Sequence, residues 1–231
     1  VYTRYTWSPP ARASVAVEGV DDRFPVRRIF CVGRNYADHV REMGGDPKSD
    51  PPVFFTKPAD SIVASGSTIA YAPRTTNLHH EVELVVALKS GGSDIAQEHA
   101  LSHVFGYAVG NDLTRRDLQH QLREKGLPWD MAKAFDAAAQ IGAILPAERF
   151  GAVETQPIWL EVNGQKRQQS QLSQMIWSVP EIIQILSSYV TLAAGDLIYT
   201  GTPDGVGPLE RGDAVRAGID GLPPLEFRIA S

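Results

Sequence analysis

The chain is nearly without cysteine. Only Cys31 carries a thiol among 231 residues, which excludes an intramolecular disulfide and a thiolate-rich zinc site. Long apolar runs are also missing: none nears the ~18 residues a membrane-spanning helix needs. Positive charge is not in excess. Twenty-two Lys and Arg stand against 27 Asp and Glu, a net charge of −5, which argues against a nucleic-acid binder with its basic stripe. Residues 1–10 show no basic flank followed by an apolar segment, so no secretory signal is expected and a reduced, cytoplasmic setting is the default. Repeats and low-complexity stretches are absent as well. Gly201-Thr202-Pro203-Asp204-Gly205-Val206-Gly207 is glycine-rich, yet it matches neither G-x-x-x-x-G-K-[ST] nor G-x-G-x-x-G, and no G-x-S-x-G elbow occurs.

What remains is ordinary globular composition, 43% hydrophobic and 21% charged, which excludes disorder, collagen and coiled coil. Twenty glycines and sixteen prolines spread through the chain suit many short strands and turns. Residues 1–24 read as an N-terminal extension packed on a main domain of 25–231. Strands are expected over 28–33, 53–56, 81–88, 106–112, 196–200 and 225–229. Helices are expected over 35–43, 96–103 and 115–125, the last closed by Gly126. Residues 46–52 read as a polar loop free to move. Asn163-Gly164 between two alternating runs is the signature of a hairpin, and Ser178-Val179-Pro180-Glu181 that of a capping box. The pattern is β-rich, without the strict strand–helix alternation of a doubly wound sheet.

The chemically informative stretch is His80-Glu81-Val82-Glu83-Leu84-Val85-Val86. On a strand, Glu81 and Glu83 share one face about 6.7 Å apart. That face turns apolar at Val85 and Ala87, and two carboxylates there are costly unless paired or metal-bound. Oxygen donors without thiols suit Mg²⁺, Mn²⁺ or Ca²⁺. On periodicity alone, a half-exposed strand with a solvated edge is the commoner case. Asp112 ends an apolar strand and is the natural third ligand, with helix capping as its plainer role. His39 and Glu42, three apart in a helical stretch, could form a base and its orienting carboxylate, or an exposed surface pair. Lys133 sits among apolar neighbours, where snorkelling is the usual outcome and purposeful burial the alternative. His79, His99, His103 and His120 show no partner pattern and read as structural.

In their order along the chain these signals carry a resemblance. The segments are Gly33-Arg34-Asn35-Tyr36 with His39 and Glu42, Phe55-Thr56-Lys57-Pro58, His79-His80-Glu81-Val82-Glu83, Asp112-Leu113-Thr114-Arg115-Arg116 with Gln119, Gly126-Leu127-Pro128-Trp129, Ala132-Lys133 and Gly201-Thr202-Pro203. Together they resemble the fumarylacetoacetate hydrolase family from about Pro25 onward. The similarity is greatest to its short single-domain members, the bacterial fumarylpyruvate hydrolases of gentisate breakdown and the related acylpyruvases and oxaloacetate decarboxylases.

The resemblance implies a β-rich α+β fold, a mixed β-sandwich roll with short peripheral helices, usually as a homodimer. It implies a divalent cation, Mg²⁺ first and Mn²⁺ or Ca²⁺ next, on Glu81, Glu83 and Asp112. It implies His39, Glu42 and Lys133 as catalytic groups, the first two on a lid. Arg34, Lys57, Arg116, Gln119 and Thr202 are implied around a small dioxo-acid substrate, with no nucleic-acid or membrane partner. Hydrolysis of a 2,4-dioxo acid to pyruvate and a carboxylic acid is the leading expectation. Decarboxylation of oxaloacetate at the same site is the alternative, hydration of a 2-oxopent-4-enoate ranks below it, and a non-catalytic metal-binding protein is the contrasting class.

Overall fold

The computed structural model describes residues 4–36, 48 and 51–231. The expected helix over 35–43 and loop over 46–52 therefore lie largely outside the described residues, and His39 and Glu42 wholly so. The first strands are β1 Ser14–Ala16, β2 Arg23–Pro25, β3 Arg28–Gly33, β4 Val53–Lys57, β5 Ile62–Ala64 and β6 Ser67–Ile69. The middle of the chain gives β7 Leu78–His80, β8 Val82–Leu88, β9 Val104–Asp112, β10 Thr114–Arg115, β11 Ala139–Ile141 and β12 Leu145–Pro146. The last are β13 Pro157–Val162, β14 Gln165–Gln171, β15 Asp196–Tyr199, β16 Gly207–Leu209, β17 Ala214–Ile219 and β18 Leu225–Ile229. The helices are short: α1 Gln97–Ala100, α2 Arg116–Glu124, α3 Asp130–Lys133, α4 Ala147–Phe150 and α5 Val179–Tyr189. Among the described residues no helix is long and apolar enough to cross a membrane.

Two sheets carry the fold. The larger runs β4-β3-β15-β8-β9-β11-β5, with β12 added to β9, and mixes parallel pairs (β3 with β15, β5 with β11) into an antiparallel sheet. The smaller runs β14-β13-β17-β18-β6. Strand alternation decides what lies between them. Val82, Leu84, Val86 and Leu88 of β8 face the shared core with Ile158 and Leu160 of β13 and Ala217 and Ile219 of β17. Val85 and Ala87 face the other way, into a second cluster with Ile29, Cys31 and Tyr199. Val15, Val17 and Phe24 from the N-terminal ribbon of β1 and β2 complete that second cluster. This is the expected strand-rich fold of mixed sheets with short helices at the edge.

Local chemistry explains the element ends. Asn163 and Gly164 both take positive φ, 52° and 74°, and close the β13–β14 hairpin. Ser178 and Glu181 form the reciprocal capping box that opens α5. The strand expected from Glu81 begins instead at Val82. Glu81 is a joint between β7, which pairs with β10 and β16 in a small third sheet, and β8 of the large sheet. Its N–H goes to the Asn111 side chain (2.9 Å), and its carbonyl accepts the Asp112 N–H (2.8 Å). The helix expected over 96–103 splits into α1 and a single 3₁₀ turn over Leu101–His103.

One glycine lets the large sheet close near the carboxylates. The Tyr199 ring lies beside Gly110 of β9, and a Cβ at Gly110 would stand 2.4 Å from Val85 Cγ2 and 2.6 Å from Tyr199 Cε1. Tyr199 is fully buried and donates its hydroxyl to the Gln140 carbonyl at 3.1 Å. Gly110→Ala overpacks this layer and is expected to cost about 1–3 kcal/mol. In thermal unfolding that reads as a Tm drop of roughly 2–4 °C per kcal/mol at this chain length. An unchanged Tm would show that the layer has slack.

Candidate metal centre and its cavity

Three carboxylates meet where β8, β9 and the β7–β8 joint come together. Glu81, Glu83 and Asp112 each offer an oxygen, and these atoms lie within 4.8 Å of one another. All three are buried, Glu83 to 1% exposure. The commoner half-exposed reading of this strand face does not hold, since its carboxylates are buried.

Their charge is met unequally. Lys133, only 3% exposed, enters from α3 and donates to Glu81 Oε2 and Asp112 Oδ2 at 2.8 Å each and to Thr114 Oγ1 at 2.6 Å. Its ammonium is therefore buried between two acids rather than snorkelling. Lys57 lies 2.8 Å from Asp112 Oδ1. It also donates to the carbonyls of Leu113 and Lys133, and so buttresses Asp112 from behind instead of lining the cavity where substrate contact was expected. Arg116 at the start of α2 pairs with Glu81 Oε1 and donates to Gln119 Oε1. Among the described residues Glu83 has no such cation; it accepts the Gly201 N–H at 2.8 Å. Gly201 must be glycine there, because its φ is +99° and a Cβ would stand 2.6 Å from Asn35 Cβ.

The titration behaviour follows. Burial alone would raise Asp112, but the ammonium groups of Lys133 and Lys57 outweigh it and hold the carboxyl below the usual range. Burial would lower Lys133, yet Asp112 and Glu81 raise it above an ordinary lysine. Glu83 is pushed well up, first by burial and then by the Asp112 and Glu81 charges. The donor set fits a hard divalent cation: three oxygen ligands, and one carboxylate whose charge the nearby cations do not directly answer.

A cavity of about 290 Å³ opens above the carboxylates. Arg116, Gln119 and Lys133 line it, together with Arg34, which takes a left-handed backbone (φ 58°), and Thr202 from the loop after β15. The structure thus brings together every expected site residue that it describes except Lys57, which stands one layer back.

A ring of side chains that the sequence reading missed holds this layer. Gln168 of β14 accepts at Oε1 from the Val82 N–H (3.1 Å) and from His80 Nδ1 (2.9 Å), and donates from Nε2 to Thr202 Oγ1 (2.8 Å) and the Pro203 carbonyl (2.9 Å). The backbone partners fix the amide orientation. Thr202 Oγ1 therefore accepts, and its own hydrogen is left for a cavity ligand. Asn111 and Gln140 form a second buried amide pair at 2.7 Å under Glu81. Asn35 ties the Thr200 carbonyl (2.7 Å) to Trp177. In β14, Gln168 sits in an all-polar run with no periodicity to single it out. His79 also has partners after all. Arg116 donates to its Nδ1 (3.3 Å), its Nε2 meets Asn77 Oδ1 (2.9 Å), and burial with the neighbouring Arg116 lowers its pKa to about 4.

Mn²⁺ titrated calorimetrically is expected to bind one site per chain, and Glu83→Gln to weaken it by ~10-fold or more. Because a raised Glu83 pKa sets the proton against the cation, affinity should climb as pH rises through that range. Unweakened, pH-independent binding in the variant would remove Glu83 from the ligand set.

Comparison with known proteins gives a consistent picture. Residues 28–230 match the family described as fumarylacetoacetate (FAA) hydrolase C-terminal. The structure of fumarylpyruvate hydrolase from Pseudomonas aeruginosa, in complex with Mn²⁺ and pyruvate, is 50% identical and covers 98% of this chain and 99% of that one, with a TM-score of 0.94. The mitochondrial oxaloacetate tautomerase FAHD1 of Mus musculus is 44% identical over 203 residues, 88% of this chain and 91% of its own. The Arabidopsis thaliana protein of the same name is 40% identical over 202 residues, 87% and 90%.

Proposed function

The chain belongs to the fumarylacetoacetate hydrolase family, and from that premise we propose that it hydrolyses the C3–C4 bond of an acylpyruvate, a 2,4-dioxo acid, to pyruvate and a carboxylic acid. The observation that carries the reading is the buried Lys133 ammonium standing beside three convergent carboxylates under an Arg- and Thr-lined cavity. The match to a fumarylpyruvate hydrolase, longer and higher in identity than that to the tautomerases, supports hydrolysis over action on oxaloacetate.

In this proposal Glu81, Glu83 and Asp112 hold a divalent cation, Mg²⁺ first and Mn²⁺ or Ca²⁺ next, which supplies Lewis acidity toward the 2-oxo acid head of the substrate. Arg116 and the free hydroxyl hydrogen of Thr202 bind and orient the 1-carboxylate. Gln119 donates from its side-chain amide, while its oxygen is kept by Arg116. His39, with Glu42 holding its ring, takes a proton from water as the oxygen adds to C4. The C3–C4 bond then breaks with its electron pair on C3. That carbon is protonated to give pyruvate, and the acyl part leaves as a carboxylate. The positive charge of Lys133, whose three N–H are given to Glu81, Asp112 and Thr114, stabilises through its field the negative oxygen that develops on the way. The roles of His39, Glu42 and Arg34 come from the sequence resemblance. A cytoplasmic homodimer acting on a small molecule, without nucleic acid or membrane, belongs to the same proposal.

The second reading, decarboxylation or keto–enol interconversion of oxaloacetate, is favoured by the names of the mouse and Arabidopsis relatives. It uses the same 2-oxo acid head and needs no attacking water. The metal-loaded protein is expected to bleach the diketo absorbance of fumarylpyruvate and to stop when EDTA is added. Turnover of oxaloacetate with acylpyruvates untouched would overturn the hydrolase reading.

Gln168→Glu checks how the Thr202 hydroxyl is held. A glutamate has no N–H to give, so the Thr202 hydrogen turns toward it and is lost to the substrate. A KM about ten-fold higher with a smaller change in kcat is expected. A fall in kcat alone would place the effect elsewhere.

A further inference from the structure

Glu83 is the carboxylate that the neighbouring cations leave unanswered, so the dipoles aimed at it decide how it is held. Among the described residues its one hydrogen-bond donor is the Gly201 N–H, 2.8 Å from Oε2, and Oε1 has no partner. That N–H belongs to the same planar peptide group as the Thr200 carbonyl, and in a trans peptide the two point in opposite directions. Whatever grips the carbonyl therefore aims the N–H. The grip comes from Asn35, whose Nδ2 donates to the Thr200 carbonyl at 2.7 Å. Hydrogen bonds thus run end to end from the Asn35 amide, through one peptide group, to the Glu83 carboxylate.

Asn35 is fully buried and has no hydrogen-bonding capacity to spare on its nitrogen. Its Oδ1 accepts the Trp177 N–H at 2.7 Å, and the second Nδ2 hydrogen goes to the Trp177 carbonyl at 3.0 Å. Backbone partners on both amide atoms fix which one is the nitrogen. Its own carbonyl accepts the Ile176 N–H at 2.8 Å, so the residue is anchored at both ends. From the opposite side, the Thr200 N–H and Oγ1 both donate to the Leu84 carbonyl, at 3.0 and 2.9 Å, one residue beyond Glu83 on β8. The peptide before Gly201 is clamped between β8 and Asn35. A carbonyl that accepts a hydrogen bond polarises its peptide, and the N–H at the other end becomes the stronger donor.

We propose that Asn35 is a positioning residue of the cation site: through the Thr200–Gly201 peptide it aims and strengthens the hydrogen bond on Glu83, and so sets how tightly the three carboxylates hold a divalent cation. The proposal rests on Glu83 as a ligand and not on which reaction follows. Asn35 touches neither the carboxylates nor the cavity; it acts only through the peptide.

The test is calorimetric titration with Mn²⁺ of the wild type, Asn35→Ala, Glu83→Gln and the double variant. Asn35→Ala should weaken Mn²⁺ by ~10-fold, as loss of an outer partner of a ligand does. In the Glu83→Gln background the acceptor is neutral and its hydrogen bond weaker, so the same change should cost only about two-fold. An equal loss in both backgrounds would make Asn35 a general structural residue and overturn the relay. The wild type alone gives a second readout by NMR. Mg²⁺ draws charge from Glu83, so the Gly201 amide proton should move upfield on titration. An unmoved or downfield-shifted proton overturns the relay even if Asn35→Ala fails to fold. The two readings fail separately. Glu83→Gln binding Mn²⁺ as the wild type does refutes the ligand and the relay with it, whereas a weakened Glu83→Gln beside an unaffected Asn35→Ala keeps the ligand and refutes the relay.

Discussion

The buried ammonium of Lys133, shared between Glu81 and Asp112, is the contact on which the centre depends. Three carboxylates removed from water within 4.8 Å of one another repel strongly, and in a low-dielectric interior that repulsion is poorly screened. Lys133 and Lys57 together neutralise Asp112, and Lys133 with Arg116 neutralises Glu81. Breaking such a buried pair by removing one partner typically costs about 3–5 kcal/mol, so the arrangement tolerates little loss. Glu83 is left as the unanswered charge. A buried carboxyl with a raised pKa subtracts from folding stability above the ordinary carboxylate range. The depressed Asp112 does the opposite: its contribution is present above the ordinary carboxylate range and is lost as pH falls below it. The site is thus balanced at two acids and strained at the third, as a binding site for a dication should be.

The fold supplies this balance from positions far apart in the chain. β8 brings Glu83, the joint before it brings Glu81, and the end of β9 brings Asp112. The short helix α3 carries Lys133 over them. The carboxylates hold α3 through Lys133, and the strands are further fixed by the buried side-chain contacts Asn111–Gln140 and Gln168–His80 and by the close approach of Gly201 to Asn35. Buried amides of this kind contribute modestly to stability when satisfied, and they fix geometry because each unsatisfied atom is expensive.

Much of this was legible in the sequence. Val82-Glu83-Leu84-Val85-Val86 shows both the strand and the side on which the acids lie, because alternation is a local property. The Asn163-Gly164 turn and the Ser178–Glu181 cap are legible for the same reason. Burial is not local. Nothing near Lys133 distinguishes a snorkelling lysine from one covered by β4 and β10, and the half-exposed reading of Glu81 and Glu83 fails only once the neighbouring strands are in place. The joint at Glu81 was missed because its cause, the side chain of Asn111, lies thirty residues away. The motif around Lys57 implies substrate contact because a motif gives company and order but not depth. Gln168 is not legible for a related reason: its partners come from the end of β7, the start of β8 and the loop after β15, and no window of sequence contains them together with it.

The two readings of the chemistry share a head group and differ in what lies beyond it. A 2-oxo acid suits the carboxylate end whether or not a C–C bond is then hydrolysed, so that end cannot separate the family's reactions. The discriminating information sits further out, on side chains whose loss would leave the core intact. α2 illustrates the division. Its first turn is tied into the metal centre through Arg116, while its last turn points Arg123 into the cavity with no partner among the described residues. Strain and charge balance restrict the first turn to few alternatives. The last turn carries no such tie to the metal centre among the described residues, so its cavity-lining side chains can vary without disturbing the carboxylates.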